Sequence, residues 1–125
     1  MFNRTILIKT GITRYVILTK KYAIKFPNPS YSMKYWLKGW IANIMEKDIW
    51  EAFNSEGIDN QEIKYLICPV LKQYLWGFIS VMPKCEPITI DEFPEESKLT
   101  GVCGDYKLDN YGKYKGRIVC FDYGQ

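Results

Sequence analysis

The chain has 125 residues and a mass of 14.7 kDa, and at 47% hydrophobic and 16% aromatic content it can bury one moderate core but not two. Its net charge of +3 is small, and basic residues alternate with acidic and aromatic ones, which argues against nucleic acid as a partner. No apolar stretch approaches the roughly 20 residues of a membrane span, and no secretory cleavage site is visible. We therefore expect a single-domain cytoplasmic protein without a membrane partner.

The chain contains no histidine. This excludes His-activated nucleophiles, imidazole bases and His metal ligands, so any acid–base chemistry must be done by carboxylates. The four cysteines have no CxxC spacing and are expected to be reduced thiols, not zinc ligands: Cys68, Cys85, Cys103 and Cys120. An alternative is that Cys103 and Cys120 lie near each other, because each stands just before an acidic turn.

The first half of the chain predicts three strands and a helix. The runs "TILIKTG", "RYVILT" and "YAIKFP" are rich in β-branched and aromatic residues and read as an antiparallel meander. From Ser32 to Phe53, apolar residues recur at intervals of three and four, the period of an amphipathic helix, with Gly57 as a plausible end.

The second half predicts two more strands, "KYLICPVLKQ" and "YLWGFISVMPK". The fold class is therefore α+β, a five-stranded antiparallel sheet with one long helix. The acidic run from 87 to 101 contains Pro94 and can hold only one or two helical turns. A polar loop from Cys103 to Gly112 and the buried strand of "GRIVCFDYG" complete a short hairpin.

These segments resemble the protein-kinase superfamily in order and spacing. The family has a strand lysine, a helix glutamate, a catalytic loop D-x-K-x-x-N and an Asp-Phe-Gly turn. This chain has "YAIKFP", a glutamate-bearing helix, "SVMPKCEP", "GDYKLDN" and "CFDYG", with Asn110 twelve residues before Asp122. The resemblance implies one kinase-like domain over 1–125, with an upper-lobe-like part at 1–85 and a reduced lower-lobe element at 86–125.

The resemblance also implies a site for ATP. Lys25 would reach the phosphates and be held by Glu46, with Glu51 as its rival on the same helix. Gly11 is the one glycine of the expected phosphate loop. The adenine pocket would be bordered by Met82 and by the connecting segment through Pro83, Lys84 and Cys85.

The resemblance implies that the catalytic and metal-binding residues lie between positions 105 and 122. Asp105 would orient or deprotonate an acceptor hydroxyl, and Lys107 would lie near the transferred phosphoryl group. Asn110 and Asp122 would hold Mg²⁺ through their oxygens. Phosphoryl transfer needs metal-binding oxygens, a cation on the phosphates and a positioned acceptor, and this set supplies all three.

Departures from the family pattern leave three hypotheses open. The glycine-rich loop is reduced to "TGITRY", Cys103-Gly104 replace the usual His-Arg, and the chain stops at Gln125, where the family continues into an activation segment. The first hypothesis is a minimal kinase that binds Mg-ATP and transfers phosphoryl to a hydroxyl acceptor. The second is an inactive pseudokinase that acts through a protein partner, and the third is an unrelated structural domain.

The missing lower lobe would otherwise cover apolar surface, so the resemblance favours a protein partner or a homodimer. Reduced forms of this kind would suit a virus or a mobile element.

Overall fold

The computed structural model describes residues 7–54, 67–93 and 107–124. It contains seven strands, one long helix and two short 3₁₀ turns within these ranges. The strands are β1 (Leu7–Thr10), β2 (Arg14–Leu18), β3 (Tyr22–Pro27), β4 (Lys72–Tyr74), β5 (Ile79–Pro83), β6 (Tyr111–Tyr114) and β7 (Arg117–Cys120). The helix is α1 (Met33–Asn54), and the 3₁₀ turns are Ile90–Glu92 and Leu108–Asn110.

The main sheet has five strands in the order β1-β2-β3-β5-β4, and every neighbouring pair is antiparallel. The predicted meander and the α+β class are therefore confirmed. Lys25 lies in the middle of this sheet, opposite Val16 on one side and Ser80 on the other. This central position lets the sheet hold the lysine side chain rigidly.

The predicted boundaries of the fourth and fifth strands are wrong. Residues 75 to 78 form a turn between β4 and β5, and Leu75, Trp76 and Gly77 all have positive φ angles. The sequence gives little sign of this turn, because two of its residues are large and apolar. The backbone N–H of Cys68, which precedes β4, is hydrogen-bonded to β7 and not to the main sheet: it donates to the carbonyl of Cys120 at 2.8 Å.

Helix α1 is confirmed, but the predicted apolar face is only partly buried: Trp40 and Ile49 are half-buried. The buried residues are Gly39, Ala42, Asn43 and Glu46, while Leu37, Ile41, Ile44 and Met45 are exposed. Small residues let the helix approach the sheet closely, since a Cβ atom on Gly39 would lie 2.0 Å from the Thr13 carbonyl oxygen. Within the described ranges, no helix is long and apolar enough to cross a membrane.

Strands β6 and β7 form the expected hairpin, which begins directly after Asn110, so the predicted loop ends two residues earlier than Gly112. The tight turn places Lys115 and Gly116 at positive φ, as a two-residue hairpin loop requires. One hydrophobic core joins this hairpin to the main sheet: Ile67, Cys68, Val70, Met82, Ile88, Tyr111, Val119, Cys120 and Tyr123. The hairpin is therefore packed against the sheet, with Asp122 just beyond its last strand.

Candidate functional site

A cavity of about 480 Å³ lies between the strands β1 to β3 and the C-terminal hairpin. Its volume is in the range typical of small-molecule sites. The wall is divided by chemistry. The apolar part is formed by Val16, Leu18, Ala23, Met82, Pro83 and Phe121, and the polar part includes Thr10, Thr13, Arg14, Lys25, Asn110 and Asp122. Such a lining can accept a ligand that has both an apolar part and an anionic part.

Most of the residues singled out in the sequence meet at this cavity. Seven of them line it: Gly11, Lys25, Met82, Pro83, Cys85, Asn110 and Asp122. They come from β1–β2, β3, the end of β5 and the C-terminal hairpin, so the fold gathers distant parts of the chain. Glu46 lies behind this wall, in contact with Lys25.

Among the described residues, Lys84 and Lys107 are predicted site residues that, like Glu46, do not line the cavity. Lys84 is exposed, and its backbone N–H donates to the Lys21 carbonyl at 2.9 Å, which leaves this N–H engaged at the sheet edge instead of facing a base. Lys107 is exposed and does not line the cavity. Asp105 lies outside the described residues.

The predicted Lys25–Glu46 pair is present. The Lys25 Nζ atom donates to Glu46 Oε1 at 3.0 Å, and both side chains are buried. Glu51 is exposed on the same helix, so it is not the partner of Lys25. Lys25 also donates to the Phe121 carbonyl oxygen and lies 4.0 Å from Asp122 Oδ1. Its ammonium group therefore joins the sheet, the helix and the chain just after β7.

Arg14 is the main site residue that the sequence interpretation missed. Its guanidinium group donates to Glu46 through two hydrogen bonds of 2.9 and 2.8 Å, and it also bonds the carboxylate of Asp122. The side chain is only 4% exposed. Strand alternation was the available signal, because Arg14 shares one face of β2 with Val16 and Leu18, which also line the cavity.

Glu46 connects four parts of the molecule. It is completely buried on α1 and accepts hydrogen bonds from Arg14 on β2, Lys25 on β3 and the Gly124 backbone N–H, the last at 3.1 Å. Gly124 must lack a side chain here, because a Cβ atom would lie 2.1 Å from the Ala42 carbonyl oxygen. The Asp-Tyr-Gly turn is thus held directly against the helix.

The protonation states of Lys25 and Glu46 depend on each other and on Arg14. Burial and the nearby Arg14 charge lower the pKa of Lys25, Glu46 opposes both effects, and the resulting pKa is about 8. Burial also disfavours ionisation of Glu46, but Lys25 and Arg14 outweigh that effect and lower the pKa of its carboxyl group. Glu46 is therefore a carboxylate at neutral pH, and Lys25 is half deprotonated at about pH 8.

The oxygens at the polar end can contribute to a magnesium site. Asp122 and Asn110 both line the cavity, and Asp122 is 32% exposed. Among residues 7–54, 67–93 and 107–124, no group of three or more His, Cys, Asp or Glu side chains could hold a metal alone. Mg²⁺ bound with a nucleotide commonly takes one or two protein ligands and completes its shell with phosphates and water. The residues present fit that arrangement.

The cysteines only partly follow the expectation of reduced thiols. Cys68 and Cys85 are free, and their Sγ atoms lie 3.5 Å apart. Cys120 is disulfide-bonded, so the prediction of a reduced thiol is wrong for this residue. The suggestion that Cys103 lies near Cys120 concerns a residue outside the described ranges.

No protein-family model matches the chain, and no curated protein or solved structure matches it. The cavity and its charged residues are therefore the basis for assigning a function. Their decisive feature is a buried cation pair, Arg14 and Lys25, compensated by Glu46 and Asp122 at the polar end of an otherwise apolar pocket.

Proposed function

We propose that this chain is a protein-kinase-like domain that binds ATP with Mg²⁺ in the cavity. The observation that carries the proposal is the Lys25–Glu46 ion pair at 3.0 Å, with Lys25 4.0 Å from Asp122 and with Asn110 in the same cavity wall. A lysine fixed by a buried carboxylate supplies a positioned charge for phosphate oxygens.

The apolar wall accounts for the nucleobase. Val16 and Leu18 on β2 and Ala23 on β3 present aliphatic side chains, and Met82 on β5 lies opposite Ala23 in the sheet register. A flat base buried among such groups gains hydrophobic and dispersion energy without needing charge. Because Ala23 is small, it leaves room in the wall for a ring.

The polar wall accounts for the phosphates. Lys25 and Arg14 carry two positive charges, and Gly11 in the β1–β2 turn lets the backbone come close to a ligand. Asp122 and Asn110 are the residues that would hold Mg²⁺. When bound, the metal would neutralise phosphate charge and polarise the phosphoryl group. Arg14 bonds the same Asp122 carboxylate, so metal and guanidinium must share it or exchange places.

Phosphoryl transfer is the further part of this proposal. Asp105 would accept the proton of an acceptor hydroxyl, and the acceptor oxygen would bond the γ-phosphorus of ATP while the bond from that phosphorus to the bridging oxygen breaks and ADP leaves. Nucleotide binding has support from residues in the cavity wall, whereas Asp105 lies outside the described ranges and Lys107 does not line the wall.

The second candidate is a pseudokinase that acts through a protein partner or a second copy in the cytoplasm. It is favoured by one observation: the Arg14 guanidinium bonds the carboxylate that would bind the metal. The exposed apolar residues of α1, Leu37, Ile41, Ile44 and Met45, are compatible with such a partner.

A thermal-shift experiment tests the binding proposal. ATP with Mg²⁺ should raise the melting temperature by several degrees, because a ligand at about 100 times its Kd stabilises the folded state by roughly 2.7 kcal/mol. Asp122→Asn should reduce the shift. Asp109→Asn is the matched control, since Asp109 also lines the cavity but has no assigned metal role. Absence of any shift in the unaltered protein would reject nucleotide binding.

A labelled-phosphate assay then separates the two candidates. Transfer that is strongly reduced in Asp105→Asn, with ATP affinity retained, supports a kinase. Clear ATP binding without transfer, both with and without cell extract as a source of acceptors, supports the pseudokinase.

A further inference from the structure

Two free thiols meet at the wall of the cavity. The Sγ atoms of Cys68 and Cys85 lie 3.5 Å apart, and neither residue is in a disulfide. Cys68 follows the bridge that joins Ile67 to β7, and Cys85 comes two residues after β5. The proposed nucleotide site makes no use of these sulfurs as a pair, so their contact calls for a separate explanation.

The two thiols differ in access. Cys85 is partly exposed and lines the cavity, so a small reagent can reach its sulfur from there. Cys68 is completely buried, and its sulfur lies 3.7 Å from the Pro83 carbonyl oxygen. Any reaction with a dissolved reagent must therefore begin at Cys85.

We propose that Cys85 and Cys68 form a peroxide-reactive dithiol, in which Cys85 is the attacking thiol and Cys68 the resolving one. The separation suits this role, because a disulfide bond of about 2.05 Å requires the sulfurs to approach by only about 1.5 Å. The inference does not depend on nucleotide binding, since the contact is a property of the protein alone.

The pKa values of the two thiols differ in the way that this order of reaction requires. A hydrogen bond from the Cys68 thiol lowers the pKa of Cys85, and the charge of Lys25 acts in the same direction. The same hydrogen bond and burial raise the pKa of Cys68. The thiolate is the reactive nucleophile, so the more exposed cysteine is also the more reactive one.

The chemistry balances in two steps with hydrogen peroxide as the oxidant. The Cys85 thiolate attacks one peroxide oxygen and breaks the O–O bond, which gives a sulfenic acid at Cys85 and, after protonation of the leaving hydroxide, one water. The Cys68 sulfur then attacks the sulfenic sulfur. A second water leaves with the Cys68 proton, and the disulfide forms. Two thiols are oxidised by two electrons and one peroxide is reduced to two waters.

Peptide mapping of the unaltered protein tests the proposal. The protein is treated with hydrogen peroxide, its remaining thiols are alkylated in denaturant, and it is digested with trypsin without reductant. Cleavage after the lysines at 64, 72, 84 and 98 places Cys68 in peptide 65–72 and Cys85 in peptide 85–98. We expect these two peptides to become linked. The proposal would be overturned if peroxide linked Cys68 or Cys85 to Cys103 or Cys120 and did not link Cys68 to Cys85.

Two serine variants test the order of the steps. In Cys68→Ser the sulfenic acid at Cys85 has no resolving thiol, so it should accumulate and be trapped by dimedone on peptide 85–98. In Cys85→Ser, Cys68 should stay unmodified at the same peroxide concentration. Equal dimedone labelling of Cys85 with and without Cys68, or oxidation of Cys68 when Cys85 is absent, would contradict the assigned roles.

Discussion

Arg14 and Glu46 form an ion pair in the protein interior through two hydrogen bonds of 2.9 and 2.8 Å. Glu46 also bonds Lys25 at 3.0 Å, so this fully buried carboxylate contacts both buried cations, and Asp122 contacts them as well. An uncompensated buried charge costs several kcal/mol, whereas a paired one is tolerated. Glu46 is therefore the buried carboxylate that, together with the partly exposed Asp122, allows two positive charges to remain at the cavity wall.

Replacing Glu46 by Gln should strongly destabilise the fold. The substitution keeps the size of the side chain but leaves the charges of Arg14 and Lys25 without their shared carboxylate. We expect the free energy of unfolding, measured by urea denaturation, to fall by about 3–5 kcal/mol.

Glu51→Gln is the matched control, because Glu51 is an exposed glutamate on the same helix. Its effect should stay within about 0.5 kcal/mol, as is usual for surface positions. Similar losses in the two variants would show that the network around Glu46 has no special stabilising role.

The stability should also depend on pH through Lys25. Its pKa is about 8 in the folded protein, compared with an ordinary value of 10.5. Between these values the unfolded chain binds more protons than the folded protein, so the free energy of unfolding rises with pH across this window. The cost of keeping a charged Lys25 buried is fully present below pH 8 and disappears towards pH 10.5.

Lys25→Met removes this titration. Urea denaturation at several pH values between about 7.5 and 9.5 should show a smaller rise in the variant than in the unaltered protein. The upper limit of this pH range avoids the titration of Tyr123. Burial raises the pKa of Tyr123 above its ordinary value of 10.0, so ionisation of this residue lowers the free energy of unfolding at higher pH. Equal slopes for the two proteins would contradict the lowered pKa of Lys25.

Gly39→Ala should destabilise the protein, although alanine normally stabilises a helix interior by about 1 kcal/mol relative to glycine. The reason is steric, because the new Cβ would lie 2.0 Å from the Thr13 carbonyl oxygen and would push α1 away from the β1–β2 turn. Urea denaturation measures the effect, with exposed Lys38→Ala as the neighbouring control. If Gly39→Ala were more stable than the unaltered protein, Gly39 would not lie in close contact with the Thr13 carbonyl.

ATP should protect Cys85 from alkylation. Cys85 lines the cavity beside the apolar residues assigned to the base, so bound ATP would shield its sulfur from iodoacetamide. Inorganic tripolyphosphate is the control ligand, because it lacks the base and should protect less. The rate of modification is followed by mass spectrometry, and an unchanged rate at saturating ATP would place the base elsewhere.

Local patterns were sufficient to predict much of this fold. The β-branched runs predicted β1 to β3, and the repeat of apolar residues predicted α1 within one residue at each end. The Lys25–Glu46 contact followed from the family resemblance, but only the structure decides between Glu46 and Glu51, since the two lie on the same helix at different burial.

The rest depends on tertiary contacts that no local pattern encodes. The turn at Leu75 and Trp76 has apolar residues where turns usually have polar ones, and Trp76 is 88% exposed. The buried side of α1 is the side with Gly39 and Glu46, because close packing against the β1–β2 turn outweighs burial of the larger side chains. Arg14 remained hidden because its partners are 32 and 108 positions away in the chain.

The central claim is that the cavity binds a nucleotide. Calorimetric titration of the unaltered protein and of Ala23→Leu with Mg-ATP tests it most directly. Ala23 lines the apolar wall opposite Met82, so a larger side chain would fill the space assigned to the base. Ala52→Leu, at an exposed helix position, is the control for added bulk, and circular dichroism confirms folding. We predict one-to-one binding that is lost in Ala23→Leu and kept in Ala52→Leu. No binding by the unaltered protein, or equal affinity in Ala23→Leu, would contradict a nucleotide site in this cavity.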